Sequence, residues 1–119
     1  MSSESPFNLS EALTRVDQDE DLFFTLVELF IEQAPLDMAA TQAALDAGDG
    51  EALARAAHRM KGAILQFSAS ALFEATKQLE ALGKAGRVDD AKPVCARVTQ
   101  ELQNLMTALS EYIAHRPAA

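Results

Sequence analysis

The sequence LARAAHRMKGAILQF, residues 53–67, has the periodicity of an amphipathic α-helix. At about 100° per residue, five of its apolar side chains fall on a single stripe with 4-3-4-3 spacing. They are Leu53, Ala57, Met60, Ile64 and Phe67. We expect this stripe to face a hydrophobic core, which leaves the opposite side of the helix to solvent.

His58 belongs to the solvent side of this helix, at roughly 140° from the middle of the apolar stripe. The cations Arg55 and Lys61 lie one turn away in either direction, and Lys61 is expected to be solvent-facing as well. Ala54 at i−4 and Gly62 at i+4 leave the same face almost free of side chains. Glycine inside a helix costs about 1 kcal/mol relative to alanine, so Gly62 suggests that space is needed beside the imidazole.

An exposed, neutral imidazole is a nucleophile that can carry a covalent group. A phosphoryl group on His58 would bring charged oxygens that Lys61 could stabilise, while Gly62 would leave room for them. The alternative is an ordinary surface histidine, because a His–Lys pair at i, i+3 also occurs by chance. The helix geometry alone leaves both interpretations open.

The rest of the chain also predicts helices, and no segment has the pattern of a strand. A short helix capped by Asn8 or Ser10 runs to about Val16, and further helices cover about residues 19–33, 36–47, 50–66, 70–85 and 89–115. Pro35 is expected to end or kink the helix before it. The fold class is therefore all-α: an antiparallel, up-and-down four-helix bundle with a short extra N-terminal helix.

The helix predicted over residues 19–33 is apolar nearly all round. Such a helix is either wrapped by its own chain or offers a surface to a partner, and wrapping by the N-terminal helix is the simpler expectation. At 119 residues the chain fits one domain. We place a helical bundle domain at residues 8–115, between a flexible tail at 1–7 and a second tail at 116–119.

Composition and spacing exclude several functions. The 18 acidic residues against 10 basic ones, a net charge of −8, would repel a nucleic-acid backbone. The absence of a signal peptide and of an apolar run long enough to span a bilayer predicts a cytoplasmic protein without a membrane anchor. The single cysteine, Cys95, fits a reducing compartment. His58 and His115 lack the spacing of a metal site, and no glycine-rich loop suggests ATP binding.

The run Ala57-His58-Arg59-Met60-Lys61-Gly62 resembles the signature of histidine-containing phosphotransfer (HPt) domains, Ala-His-x-apolar-Lys-Gly. The resemblance extends over about residues 8–113, through the segments 29–35, 44–49, 67–69 and 79–80. Ser68 is a departure, since the family usually has glycine there. Glu80 lies where relatives often have glutamine, and we assign it no hydrogen bond to His58.

The resemblance implies a phosphorelay intermediate. His58 would accept a phosphoryl group from the aspartate of one receiver domain and pass it to the aspartate of another. Lys61 would steady the phosphoryl charge and Gly62 would keep the approach open. The partners implied are response-regulator receiver domains and a hybrid histidine kinase. The chain would be a phosphoryl carrier with no kinase activity and no cofactor of its own, because Mg²⁺ comes with the receiver.

A receiver is expected to dock over the His58 face through an apolar patch that includes Leu65, Arg55 and Ala54. Leu65 lies within about 20° of His58 around the helix and far from the core stripe. Contacts of modest area would suit a carrier that binds and releases two partners in turn. The bundle is self-sufficient, so we expect a monomer.

Two other interpretations were considered. The phosphoacceptor domain of histidine kinases usually has an acidic residue after its histidine and a proline a few positions later, whereas here Arg59 follows and the next proline is Pro93. The second is a non-catalytic helical adaptor that binds signalling partners through the apolar patch alone. The intact His58, Lys61 and Gly62 argue against the adaptor without excluding it.

Overall fold

The computed structural model describes residues 6–115, which form five α-helices and no β-strand. The helices are α1 (Leu9–Arg15), α2 (Glu20–Ala47), α3 (Gly50–Leu65), α4 (Ser70–Lys84) and α5 (Val88–Ala114). Helices α2 to α5 each pack against the next, and α5 also packs against α2. This is the predicted up-and-down four-helix bundle, with α1 as the short extra helix. Across the described residues, no helix is both long and apolar enough to cross a membrane.

The expected tails fall largely outside the described residues, since these exclude 1–5 and 116–119. Phe7, which the sequence placed in the N-terminal tail, packs against the hydrophobic core.

Side-chain caps fix the starts of three helices. Asn8, Asp19 and Asp49 precede α1, α2 and α3, and each accepts a hydrogen bond from a backbone N–H of the first turn. Such caps satisfy donors that a helix leaves unpaired at its N-terminus. Gly48 ends α2 in the left-handed conformation, with φ of 69°. The chain therefore turns sharply between α2 and α3, at the predicted boundary between residues 47 and 50.

The break expected at Pro35 is wrong, because α2 runs without interruption from Glu20 to Ala47. A proline inside a helix removes one backbone hydrogen bond and typically destabilises by about 3 kcal/mol. Here Pro35 itself faces solvent, while Ala34 and Asp37 beside it are buried against the bundle. Tertiary packing of a long helix can outweigh such a local preference. The helices predicted at 19–33 and 36–47 are one element.

The predicted stripe of α3 lies at the centre of the core. Leu53, Ala57, Met60 and Ile64 of this stripe, and Phe67 just beyond the end of the helix, are at most 2% exposed. Phe67 meets the rings of Phe23 and Phe30 edge-on, with ring centroids 5.9 and 5.0 Å away. With this stripe turned inward, the opposite side of α3 is fixed toward solvent.

The apolar residues of α2 are divided between the core and the surface. Phe23, Phe24, Val27 and Phe30 are buried, but Leu22, Leu29 and Leu36 are 45%, 56% and 62% exposed. The expected wrapping of this helix is therefore incomplete, and a row of leucines remains on the surface.

Candidate functional site

His58 lies on the outer face of α3, with 68% of its side chain exposed. This confirms the orientation predicted from the helical periodicity. Gly62, one turn further along, is also exposed, and a Cβ atom placed there would meet no other atom within 4 Å. The surface next to the imidazole is open, as the sequence led us to expect.

Glu80 on α4 reaches His58 from the neighbouring helix. Its Oε2 atom lies 2.9 Å from Nδ1 of His58, and its Oε1 atom accepts a hydrogen bond of 2.6 Å from Nζ of Lys61. Nζ of Lys84 lies 3.4 Å from Oε2 of the same carboxylate. Since Glu80 is only 5% exposed, one buried carboxylate joins the imidazole to two lysines.

These contacts determine the charge of Glu80. The hydrogen bond from Lys61 is the largest influence and, with those from His58 and Lys84, it lowers the pKa of Glu80 from 4.5 to about 2 against the opposing effect of burial. Glu80 is therefore ionised at neutral pH and can only accept hydrogen bonds. A neutral His58 must then carry its proton on Nδ1, which leaves the lone pair of Nε2 free.

The other predicted site residues fall into two groups. Arg55 and Leu65 are exposed, Leu65 by 44%. Ala54 was expected on the same open face, but it is buried, at 7% exposed, because α4 packs directly over it, so it offers little surface to a partner. Lys61 was expected to face solvent, but its side chain is 23% exposed and is bound to Glu80.

A shallow cavity opens beside the imidazole. It is lined by Ala54, Arg55, His58, Arg59, Glu80 and Lys84. The exposed Arg59 is also 3.8 Å from the buried carboxylate of Asp37, which ties it to α2. Three cations therefore surround the cavity on a protein whose net charge is −8. Such a local concentration of positive charge suits a phosphoryl group.

Ser68, the departure from the HPt pattern, lies in the turn between α3 and α4 with φ of 52°. Glycine adopts this left-handed backbone without the steric penalty of other residues, which is a physical reason for the usual glycine. Oγ of Ser68 accepts a hydrogen bond of 3.2 Å from Nε of Arg15. The backbone N–H of Asn8 donates to the carbonyl oxygen of Phe67, also at 3.2 Å. These two bonds hold α1 against the turn.

Sequence reasoning missed Glu80 and Lys84 as parts of the site. A signal was present: Thr76, Glu80 and Gly83 have i, i+4, i+7 spacing next to the apolar stripe of α4. A carboxylate at such a position is buried beside the core and needs a cationic partner. The identity of that partner depends on how α3 and α4 are placed together, which the pattern of one helix does not contain.

Comparison with known proteins agrees with this fold. Residues 25–112 match the family described as the Hpt domain, and this range includes His58, Lys61 and Gly62. No curated protein matches the chain in sequence.

Two solved structures share the fold. The first is histidine-containing phosphotransfer protein B from Pseudomonas aeruginosa PAO1, with a TM-score of 0.87 and 22% identity over 98% of this chain and 100% of that one. The second is the HPT domain of a sensor hybrid histidine kinase from Shewanella, with a TM-score of 0.85 and 18% identity over 95% and 97% of the two chains. Since the family match spans most of the sequence, this chain belongs to the Hpt domain family and acts in phosphoryl transfer within a phosphorelay.

Proposed function

We propose that His58 is the phosphoacceptor and that the reacting atom is Nε2. The observation that carries this proposal is the hydrogen bond of 2.9 Å between Nδ1 and the buried, ionised carboxylate of Glu80. It holds the ring and keeps the proton on Nδ1, so that Nε2 is free to attack. The exposed side chain and the open surface at Gly62 support access by a partner.

In the accepting step, Nε2 attacks the phosphorus atom of an aspartyl phosphate on a receiver domain. The new P–N bond forms as the P–O bond to the aspartate breaks, and the electron pair leaves with the aspartate carboxylate. The Nδ1 proton remains on the ring, which becomes a cation when phosphorylated. The negative charge of Glu80 stabilises that cation. In the donating step the aspartate of a second receiver attacks phosphorus, and the electron pair of the P–N bond returns to Nε2.

Lys61 supports the phosphoryl group while it holds Glu80. An ammonium group has three donors, and the bond to Oε1 uses one of them. The other donors can reach oxygens of a phosphoryl group on His58, which lies one turn earlier on the same helix. Gly62 leaves space for those oxygens and for the approaching receiver.

Hpt domains interact with receiver domains and hybrid kinases, and we propose such partners for this chain. The receiver docks over His58 against Leu65 and Arg55, which are both exposed. The chain acts as a monomer and as a carrier, with no kinase activity. In the part of the chain that the structure describes, no three His, Cys, Asp or Glu side chains are grouped to hold a metal ion. We also propose that the Mg²⁺ of the reaction comes with the receiver.

The direct test is incubation with phosphorylated candidate receiver domains, followed by chemical analysis of the phosphate on this protein. Phosphohistidine is labile to acid and stable to base, unlike a phosphate ester of serine or threonine. We expect acid-labile phosphate that maps to a peptide containing His58. An adaptor would bind a receiver without acquiring phosphate, and that result with every receiver that binds would overturn the proposal.

A further inference from the structure

Helices α3 and α4 approach each other closely at two glycines, Gly50 and Gly83. A Cβ atom on Gly83 would lie 2.8 Å from the carbonyl oxygen of Gly50 and 2.9 Å from the backbone nitrogen of Ala54. A Cβ atom on Gly50 would lie 2.6 Å from the carbonyl oxygen of Gly83. Ordinary van der Waals contact starts at 3.4 Å. All three atoms belong to backbone, so no side chain can rotate away to make room.

This crossing is next to the phosphotransfer site. Gly83 lies one turn beyond Glu80 on α4, and Ala54 lies one turn before His58 on α3. The two helices run antiparallel, so the glycine contact and the His58–Glu80 bond are consecutive contacts along one helix pair. The separation of the helices at the glycines therefore sets the separation at the site.

A small increase in the distance between α3 and α4 is enough to affect the hydrogen bond between His58 and Glu80. To bring a methyl group on Gly83 from 2.8 Å to 3.4 Å from the Gly50 oxygen, the helices must move apart by about 0.6 Å. With both side chains held in their present rotamers, the same shift would lengthen the His58–Glu80 contact from 2.9 Å to about 3.5 Å, the limit of a hydrogen bond. The Lys61–Glu80 contact starts at 2.6 Å and would remain within bonding range.

We propose that the contact between Gly50 and Gly83 is what holds α3 and α4 close enough for Glu80 to bond the ring of His58, which makes Gly83 a positioning residue for this site. The role of the bond in phosphoryl transfer rests on the proposed function, but the bond itself can be measured without transfer.

The test is ¹⁵N NMR of the His58 ring, which reports the fraction of neutral imidazole that carries its proton on Nδ1. Glu80→Ala gives the reference value for a ring without its carboxylate partner. We expect Gly83→Ala to move this fraction most of the way from the wild-type value to the Glu80→Ala value. Gly50→Ala places a methyl group in the same contact, but at the first residue of α3, where the helix end can adapt. It should therefore change the Nδ1-protonated fraction in the same direction and by a smaller amount.

Folding is checked by circular dichroism before each measurement, and Gly50→Ala supplies the result if Gly83→Ala does not fold. Val98→Ala is the control, because it removes volume from the core of α5 without touching the crossing. It should keep the wild-type tautomer. A wild-type tautomer in the folded glycine variants would overturn the proposal, and so would the same tautomer shift in Val98→Ala.

Phosphoryl transfer is measured separately on the same variants, with an expected fall of roughly tenfold for Gly83→Ala when one charge-assisted hydrogen bond is lost. If wild-type His58 accepts no phosphate, the proposed function fails and the ring measurement still decides the role of the glycines. If transfer by folded Gly83→Ala equals wild type despite a shifted tautomer, the positioning role is overturned.

Discussion

The Nζ atom of Lys61 lies 2.6 Å from Oε1 of Glu80, so the signature lysine binds a carboxylate of the neighbouring helix before any phosphate arrives. The two side chains are 23% and 6% exposed, which makes this a partly buried ion pair. Removing one partner of such a pair leaves the other with a charge that is poorly compensated. Lys61 therefore acts on the imidazole through Glu80 as well as on the phosphoryl group.

Replacing His58 by glutamine should abolish phosphate acceptance and leave the fold intact, because the side chain is exposed. The measurement is acid-labile phosphate after incubation with a phosphorylated receiver. His115→Gln is the matched control, since His115 is the other histidine of the chain and should be dispensable. Transfer to His58→Gln at the wild-type rate would refute the assignment.

Replacing Lys61 by alanine should slow transfer by about tenfold. A charge-assisted hydrogen bond contributes roughly 1.5–3 kcal/mol, equivalent to one to two decades in rate if realised fully in the transition state. Partial exposure and the bond to Glu80 reduce that contribution. Rates are measured by rapid quench with one receiver, and Lys77→Ala on the exposed face of α4 is the control for loss of one charge. Equal rates for both variants would reduce Lys61 to a structural partner of Glu80.

The stability of the domain should fall in acid partly through Glu80. Its pKa in the folded protein, about 2, is below the ordinary 4.5, so its stabilising effect is complete above about pH 4.5 and is lost as the pH falls toward 2. The lowered pKa corresponds to about 3.5 kcal/mol at about 1.4 kcal/mol per unit. Urea unfolding from pH 5 to pH 2 measures this loss, which Glu80→Gln should lack.

Glu74→Gln provides the comparison for that experiment, because Glu74 lies on the exposed side of the same helix. It should retain the wild-type acid sensitivity. If wild type and Glu80→Gln lose stability in parallel as the pH falls, the ion pair contributes nothing to acid unfolding.

Replacing Leu65 by glutamate should weaken receiver binding and hardly change the melting temperature. The side chain is 44% exposed, and substitutions at such sites usually alter stability by no more than about 0.5 kcal/mol. The introduced carboxylate would be desolvated in the complex, which we expect to raise Kd at least tenfold in calorimetry. Ile64→Glu, at a fully buried neighbour, should unfold the domain. Unchanged Kd for Leu65→Glu would remove Leu65 from the docking surface.

The periodicity of the sequence correctly predicted those features that depend on a single helix. The core stripe of α3 and the outward position of His58 are confirmed because each follows from angles around a single axis. Pro35 shows where local rules fail: its effect on the backbone was outweighed by burial of the residues around it in a helix that packs along its whole length. The family resemblance, carried by a run of residues within α3, is confirmed by the match over residues 25–112.

Contacts between different helices could not be predicted from the sequence pattern. Ala54 looked exposed on a helical wheel because nothing in α3 shows how closely α4 crosses it. Glu80 was left without a bond to His58 because relatives often have glutamine at its position, and the bond itself depends on the spacing and register of two helices. Both residues depend on how α3 and α4 pack against each other, which the pattern of a single helix does not contain.

The order in which the helices pack also bears on how fast the protein folds. Apart from the contact of α2 with α5, the long helices pack against neighbours in sequence, and α3 with α4 forms the most extensive pair. Chains dominated by such local contacts fold within microseconds to milliseconds. His58 and Glu80 are only 22 residues apart within that one helical hairpin. The His58–Glu80 contact therefore requires the closure of only a short loop, which has a small entropic cost.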